Sequence, residues 1–273
     1  MSGRRGKWTA SDFFARAPVF THEEFLAAHD GKGRSPHTAN NILAHHVAAG
    51  HLLRVRRGLY ATVLRGVPPE AAVIDPYLVA TKLAPDAIVA YHAALQFHGK
   101  AYSVSNRFTY LTHHRARPLR FRGAEFVPVQ LPAALRALPG AGGGVAEHRH
   151  AGGVARVTTL ERTLVDVLDA PEHGGGWEEI WRSLGSVEFF DIDAVVAYAV
   201  KLGSALTVAR VGFFLEQHRE SLMVEEGQLE ALRVHAPGQP RYLDQRRLPG
   251  RLVARWNLVV PEQVLSGTWT EIP

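Results

Sequence analysis

The stretch that decides the reading runs VFTHEEFLAAH (19–29), SPHTANNILAHHVAAG (35–50) and HLLRVRRGLYATV (51–63). Thr21 followed three residues later by Glu24 is a capping box: the hydroxyl serves the Glu24 backbone N–H and the carboxylate reaches back to that of Thr21. Phe20 and Phe25 take the two staple positions around that cap. The helix so begun buries Phe25 and Leu26 and runs out in His29, Asp30 and Gly31, which leaves Lys32, Gly33 and Arg34 as a short basic loop. Ser35 ahead of Pro36 opens a second helix. Its apolar stripe is Ala39, Ile42, Leu43 and Val47, while His37, Thr38, Asn40, Asn41 and His45 project elsewhere. Gly50 stops it. Leu53 and Val55 then alternate with Arg54 and Arg56, the period of a strand with one buried and one basic face. Arg57-Gly58 supplies a turn and Leu59 to Val63 returns.

Helix, turn, helix and basic hairpin in that order predict a winged helix-turn-helix, with double-stranded DNA as the partner to expect. Asparagine on a solvated helix and arginine in a hairpin are each commonplace, so the order carries the inference rather than any one residue. The N-terminal residues of such a recognition helix face base edges, and asparagine can pair bidentately with adenine. Asn40 and Asn41 are therefore the leading base readers, beside His37, Thr38 and His45. Lys32, Arg34, Arg54, Arg56 and Arg57 are the expected phosphate contacts, which fix position without reading sequence.

Charge is segregated in the same sense. Residues 1–66 hold ten Lys or Arg against four Asp or Glu, and the remaining 207 residues hold 21 against 22, so the whole excess of +5 falls on the first segment. Phosphate contact with counterion release requires such an excess. Arg4, Arg5 and Lys7 form a candidate arm for a minor groove, although short basic tails are ordinarily disordered.

At 273 residues and 46% apolar content the chain can bury a large core and exceeds one small winged module. Two domains are expected, 1–66 and a larger mixed α+β domain over 67–273, joined at Arg65-Gly66-Val67-Pro68-Pro69. With no cysteine, disulfides and thiolate metal sites are excluded. No apolar signal core opens the sequence and no run reaches the roughly 18 apolar residues of a membrane span, so a cytoplasmic protein without membrane contact is expected. Fifteen histidines is a high count. Yet neither His45-His46, His113-His114 nor Glu147-His148-Arg149-His150 has the spacing of helical ligands around a general base, and no metal or cofactor is expected.

Beyond the linker, Asp75 to Leu83 and Ile88 to His98 read as helices and Arg107 to Thr112 as a strand. Phe121 to Val129 reads as another, with Pro128 favouring an edge or bulge. The PGAGGG loop (139–144) lacks the Lys-Ser or Lys-Thr of a phosphate-binding loop. After a short strand at 154–157, Thr158 and Glu161 predict a second capping box, with Leu160, Leu164, Val167 and Leu168 buried and Arg162 paired to Asp166 along the opposite side. Trp177, Ile180, Trp181 and Leu184 stripe the next helix. Two more follow at Asp191 to Leu202 and Thr207 to His218, and a last strand at Leu252 to Val260.

Three segments carry a family resemblance: the module ending RRGLYATV, YHAALQFHG (91–99), and TTLERTLVDVLDAPEHGGGWEEIWRSL (158–184). In these the chain resembles the antitoxins (AbiEi) of AbiE-type toxin–antitoxin and phage-defence systems. The resemblance implies an N-terminal winged helix that represses its own operon and a C-terminal domain that counteracts a nucleotidyltransferase-like toxin; separately, since a single module reads few base pairs, repeated or inverted operator sites bound by two copies are expected. By position the resemblance places the reading helix at Pro36 to Ala49 and the wing at Leu52 to Val63. Residues 100–153 and the tail beyond 220 match only loosely.

Two other functions compete with a non-enzymatic repressor. A nuclease or transferase delivered to DNA would draw on Glu161, Asp166 and Asp169, although no carboxylate cluster of the kind that holds magnesium is evident. A ligand-sensing repressor would line a pocket with Trp177, Trp181, Phe213 and Phe214, residues whose helical spacing fits core packing better.

Overall fold

A computed structural model describes residues 9–30, 36–136 and 142–269. Its first unit opens with a short helix that the sequence reading passed over, α1 (Ala10–Phe14), capped by Thr9 accepting from the Asp12 N–H at 3.1 Å. Strand β1 (Val19–Thr21) leads into α2 (His22–Asp30), and the expected capping box is made: Thr21 N donates to Glu24 Oε2 at 2.8 Å and Glu24 N to Thr21 Oγ1 at 3.2 Å. Helix α3 (Pro36–Ala48), β2 (Leu52–Arg56) and β3 (Leu59–Thr62) complete the unit, with strand order β1-β3-β2. Its own core is small and aromatic: Phe14, Phe20 and Phe25 meet Ala39 and Leu43 of α3 and Leu52 of β2. The Phe20 and Phe25 rings stand 6.1 Å apart across the cap. Gly50 ends α3 at φ +73°, and a Cβ there would lie 2.6 Å from Pro69 Cγ, so a larger residue fits neither the backbone nor the space.

The hairpin departs from simple alternation. Arg54 faces Tyr60 and Arg56 faces Leu59, which leaves Val55 as the extra residue of a bulge. The phase therefore slips by one, and a slip of one residue moves side chains to the other face of a sheet. Leu52, with Arg54 on the same face, joins the aromatic core, whereas Leu53, Val55, Leu59 and Ala61 turn toward the rest of the chain.

That turn matters for domain organisation. The expected boundary lies at residue 66, yet Val19, Val55, Leu59 and Ala61 share one core with Leu78, Val79 and Leu83 of the following segment. The chain crosses at the linker but the apolar interior does not divide there.

A six-stranded sheet ordered β6-β7-β5-β4-β9-β8 forms the middle layer of the second unit. It comprises β4 (Ile88–Val89), β5 (Arg107–Thr112), β6 (Leu119–Phe121), β7 (Ala124–Gln130), β8 (Val145–His150) and β9 (Gly153–Thr158). The β5–β7 and β4–β9 pairs are parallel and the other three antiparallel. Phe108 to Thr112 are all buried because both faces are covered. Phe108 and Tyr110 face α4 (Pro76–Lys82) and the N-terminal sheet, and Leu111 faces a helical layer. That layer holds α6 (Leu160–Asp169), α7 (Trp177–Gly185), α8 (Ile192–Leu202) and α9 (Ala205–Gln217), with α10 (Glu226–Arg233) beside them. A small sheet of β10 (Arg241–Tyr242), β12 (Leu258–Val260) and β11 (Arg251–Val253) and a last helix α11 (Glu262–Ser266) close the chain. The fold is α+β, as expected.

Several boundaries differ from the sequence reading. Ile88 and Val89 are not helical but form a central strand, and the helix α5 (His92–Phe97) starts only after Tyr91, whose φ is +58°. Pro128 stands opposite Tyr110 in an internal strand, but β6 reaches no further than Phe126, so its other side has no ladder partner. The cap of α6 is Thr159 rather than Thr158, which ends β9 fully buried. The single strand expected at 252–260 is broken by a tight turn over Ala254–Trp256 and by Asn257 at φ +47°. Arg162 and Asp166 are not on a solvent side at all: both are about 98% covered or more, joined Nε to Oδ2 at 3.2 Å, with Tyr198 donating to Asp166 Oδ1 at 2.8 Å. Among the described residues no helix is long and apolar enough to cross a membrane.

Candidate nucleic-acid interface

Helix α3 presents His37, Thr38, Asn40, Asn41 and His45 at the surface, while Ala39 and Leu43 hold its other side against the aromatic core. The two asparagines are not equivalent. Asn40 Oδ1 lies 2.6 Å from His22 Nε2, which ties α3 to the first turn of α2. Asn41 is exposed and has no such tie among the described residues, so it inherits the leading place among the polar residues of this face.

At the end of α3, His46 Nδ1 and His51 Nδ1 approach to 3.1 Å, and the His45 and His46 rings meet edge to face at 5.4 Å. Burial first, then the neighbouring His51 and His45, hold the His46 imidazole below its ordinary range. The joint between α3 and β2 is thus packed with imidazole rings.

The expected arginines separate by phase. Arg54 is exposed on the sheet face that carries the helices, and Arg57 is exposed in the turn. Arg56 is a correction: past the bulge its guanidinium points the other way and donates to the Leu83 carbonyl at 2.6 Å. It secures the hairpin to the end of α4 instead of lying along the outer face, and no signal in the sequence distinguishes it from Arg54. Glu24 and Lys82 add an ion pair between α2 and α4. Lys32, Arg34, Arg4, Arg5 and Lys7 lie outside the described residues.

The second unit has its own polar cleft of ≈ 240 Å³, lined by His92, Arg107, Glu172, His173 and Glu179 among others. His92 Nε2 meets Glu179 Oε1 at 3.1 Å, and that oxygen also accepts from Ser103 N at 3.1 Å and Ser183 Oγ at 2.9 Å. Burial works to raise the Glu179 carboxyl, and the Ser103 and Ser183 hydrogen bonds with the adjacent His92 outweigh it, so the group is held below the usual range. Sequence reading missed this site because its members lie on three separated segments.

The carboxylates weighed for catalysis do not gather there. Glu161 accepts from Asp191 N at 3.5 Å, Asp166 belongs to the buried pair and Asp169 takes the Thr207 hydroxyl. Trp177, Trp181, Phe213 and Phe214 are buried in the helical core, with the Trp181 and Phe214 rings edge to face at 5.5 Å, and do not line the cleft around His92. Of the histidines in the Glu147 to His150 run, His150 bonds Asp75 at 2.8 Å, beside the Asp75 cap of α4. Arg210, unremarked in the sequence, is buried and donates to the Leu168, Asp169 and Leu243 carbonyls at 2.6 to 3.0 Å, closing the end of α6.

A solved structure shares this fold. The crystal structure of the RV2827C protein from Mycobacterium tuberculosis is similar with a TM-score of 0.53 and 18% sequence identity, over 93% of this chain and 90% of that one. No protein-family model matches the chain, and no curated protein matches it.

Proposed function

We propose that the protein is a sequence-specific DNA-binding repressor that also serves as the antitoxin of a toxin–antitoxin pair. The observation that carries the DNA-binding half is the exposed polar face of α3, Asn41 included, beside the hairpin arginines Arg54 and Arg57 on the segment that holds all of the chain's net positive charge. The element order helix, strand, helix, helix, strand, strand supports it, since that is the arrangement in which a winged module lays its last helix in a major groove. On this reading Asn41, Thr38, His37 and His45 face base edges, Arg54 and Arg57 face phosphates, and Asn40 positions α3 through His22. One module covers few base pairs, so repeated or inverted operator sites are bound by two copies.

The antitoxin half rests on the resemblance to AbiE-type antitoxins in YHAALQFHG and in the segment 158–184. Those segments supply α5, α6, α7 and part of the polar cleft. The partner on this reading is a nucleotidyltransferase-like toxin encoded beside the gene. Co-expression tests it: growth arrest by the neighbouring reading frame should be relieved by this chain. Arrest that persists at full expression of this chain removes the antitoxin assignment and leaves the DNA-binding one standing.

A further inference from the structure

Asp86 lies in the turn before β4, and His113 and His114 follow the last residue of β5. With Ile88 opposite Leu111 in the antiparallel β4–β5 pair, the register carries Asp86 across to His113. Adjacent residues of a continuing strand would point to opposite faces. Here the chain bends at 113 and 114, and the two imidazoles come together with ring centroids 4.1 Å apart. His113 Nδ1 is 2.6 Å from Asp86 Oδ2 and His114 Nε2 is 3.7 Å from Asp86 Oδ1. One ligand atom from each of the three residues lies within 4.8 Å of the other two.

The carboxylate is held in place from behind. Thr112 Oγ1 donates to Oδ1 at 2.6 Å and His113 N to Oδ2 at 2.7 Å, while Gln130 Nε2 donates to the His114 carbonyl at 3.1 Å. Such supporting hydrogen bonds orient the ligands of metal sites. Both imidazoles are about half exposed, at 54% and 50%, which leaves the outer side open to water. Among the described residues no other three His, Asp or Glu side chains bring one ligand atom each within that distance of one another.

We infer that Asp86, His113 and His114 form a binding site for a divalent transition-metal ion, with zinc as its probe. Two neutral imidazoles and one carboxylate are the donor set that zinc and its first-row neighbours accept, with a further position left for solvent. Ligands at zinc's usual bond lengths stand roughly 3.3 Å apart around a tetrahedron. The Asp86–His114 separation already approximates that, and the shorter Asp86–His113 contact opens when the ion replaces the proton between them.

The test is a calorimetric zinc titration of the full chain at about pH 7.5, on wild type, Asp86→Asn, His114→Ala and His46→Ala. One saturable zinc per chain is expected, weakened about tenfold or more by Asp86→Asn and by His114→Ala and unchanged by His46→Ala. His114 is half exposed, so its replacement leaves the fold intact, which circular dichroism checks. Cobalt substitution gives a second readout, a visible ligand-field band that disappears in the same two variants. Absence of saturable uptake, or uptake that survives both Asp86→Asn and His114→Ala, overturns the assignment and leaves a histidine–aspartate hydrogen-bond cluster.

Discussion

Replacing glycine by alanine at two helical positions should change stability in opposite directions. In a helix interior the exchange gains roughly 0.5 to 1 kcal/mol, because glycine loses more backbone freedom on folding. Gly227, in the first turn of α10, has no atom within 4 Å of where a Cβ would stand, so Gly227→Ala should realise part of that gain. Gly212 in α9 lies under the ring of Trp256, and a Cβ there would fall 2.2 Å from Cη2 and Cζ3. Carbon contacts settle near 3.5 to 4.0 Å, so the ring must retreat by roughly 1.3 Å. It has little room, being fully buried with its Nε1 donating to Glu216 Oε2 at 2.7 Å. Overpacking of this kind costs about 1 to 3 kcal/mol or more, which exceeds the helical gain. A kcal/mol corresponds to about 2 to 4 °C in Tm for a chain near this size. Thermal unfolding followed by circular dichroism should therefore show Gly212→Ala several degrees below wild type and Gly227→Ala at or above it. A Gly212→Ala protein as stable as wild type would mean that Trp256 does not lie over α9, and would refute the packing described here.

Three further outcomes follow from particular contacts. Asp166→Leu alone should cost about 3 to 5 kcal/mol by leaving the Arg162 charge buried without its carboxylate, while Asp166→Leu with Arg162→Met should cost much less; equal losses in urea unfolding would contradict the coupling. The Arg246 hydrogen bonds chiefly, against the effect of burial, hold the Asp244 carboxyl down at about 2 from 3.8, so the stability it contributes is present above 3.8 and lost as pH falls toward 2. Asp244→Asn should flatten that acid limb in urea midpoints measured against pH, and an unaltered limb would show that other carboxylates set it. Arg56→Ala should lower stability by about 1.5 to 3 kcal/mol through loss of the charged hydrogen bond to Leu83, whereas Arg57→Ala should leave Tm unchanged; the reverse pattern would undo the assignment of Arg56 to the joint.

What the sequence made legible was local. The Thr21–Glu24 box, the α3 stripe and the Trp177 to Leu184 stripe each state their structure within one turn or two, because caps and helical periodicity are short-range physics. The bulge at Val55 was not legible, since alternation alone favours an unbroken strand, and with it went the true direction of Arg56. Ile88 and Val89 read as helix because a two-residue strand buried on both faces has no alternation to show. The Arg162–Asp166 spacing fits an exposed helical pair equally well, and only the packing of α8 over it, with Tyr198, makes it interior. Asn40 and Asn41 are alike as letters. His22, eighteen residues earlier, decides which of them is tied to the neighbouring helix. The cleft around His92 and the Asp86, His113, His114 cluster depend on sheet register across distant segments, which no local pattern encodes.

The central claim is tested most directly by a gel-shift titration on the gene's own upstream region against a scrambled duplex, with wild type, Asn41→Ala, Asn40→Ala and Arg57→Ala at two salt concentrations. Binding should be selective and weaken with salt. Asn41→Ala should lose about 1 to 3 kcal/mol of preference for the operator, and Arg57→Ala should weaken both duplexes alike with a shallower salt dependence. Asn40→Ala should act through a lowered Tm as well as through affinity. Equal affinity of wild type for the operator and the scrambled duplex, or an Asn41→Ala protein that binds the operator like wild type, would contradict the assignment of α3 as a base-reading helix.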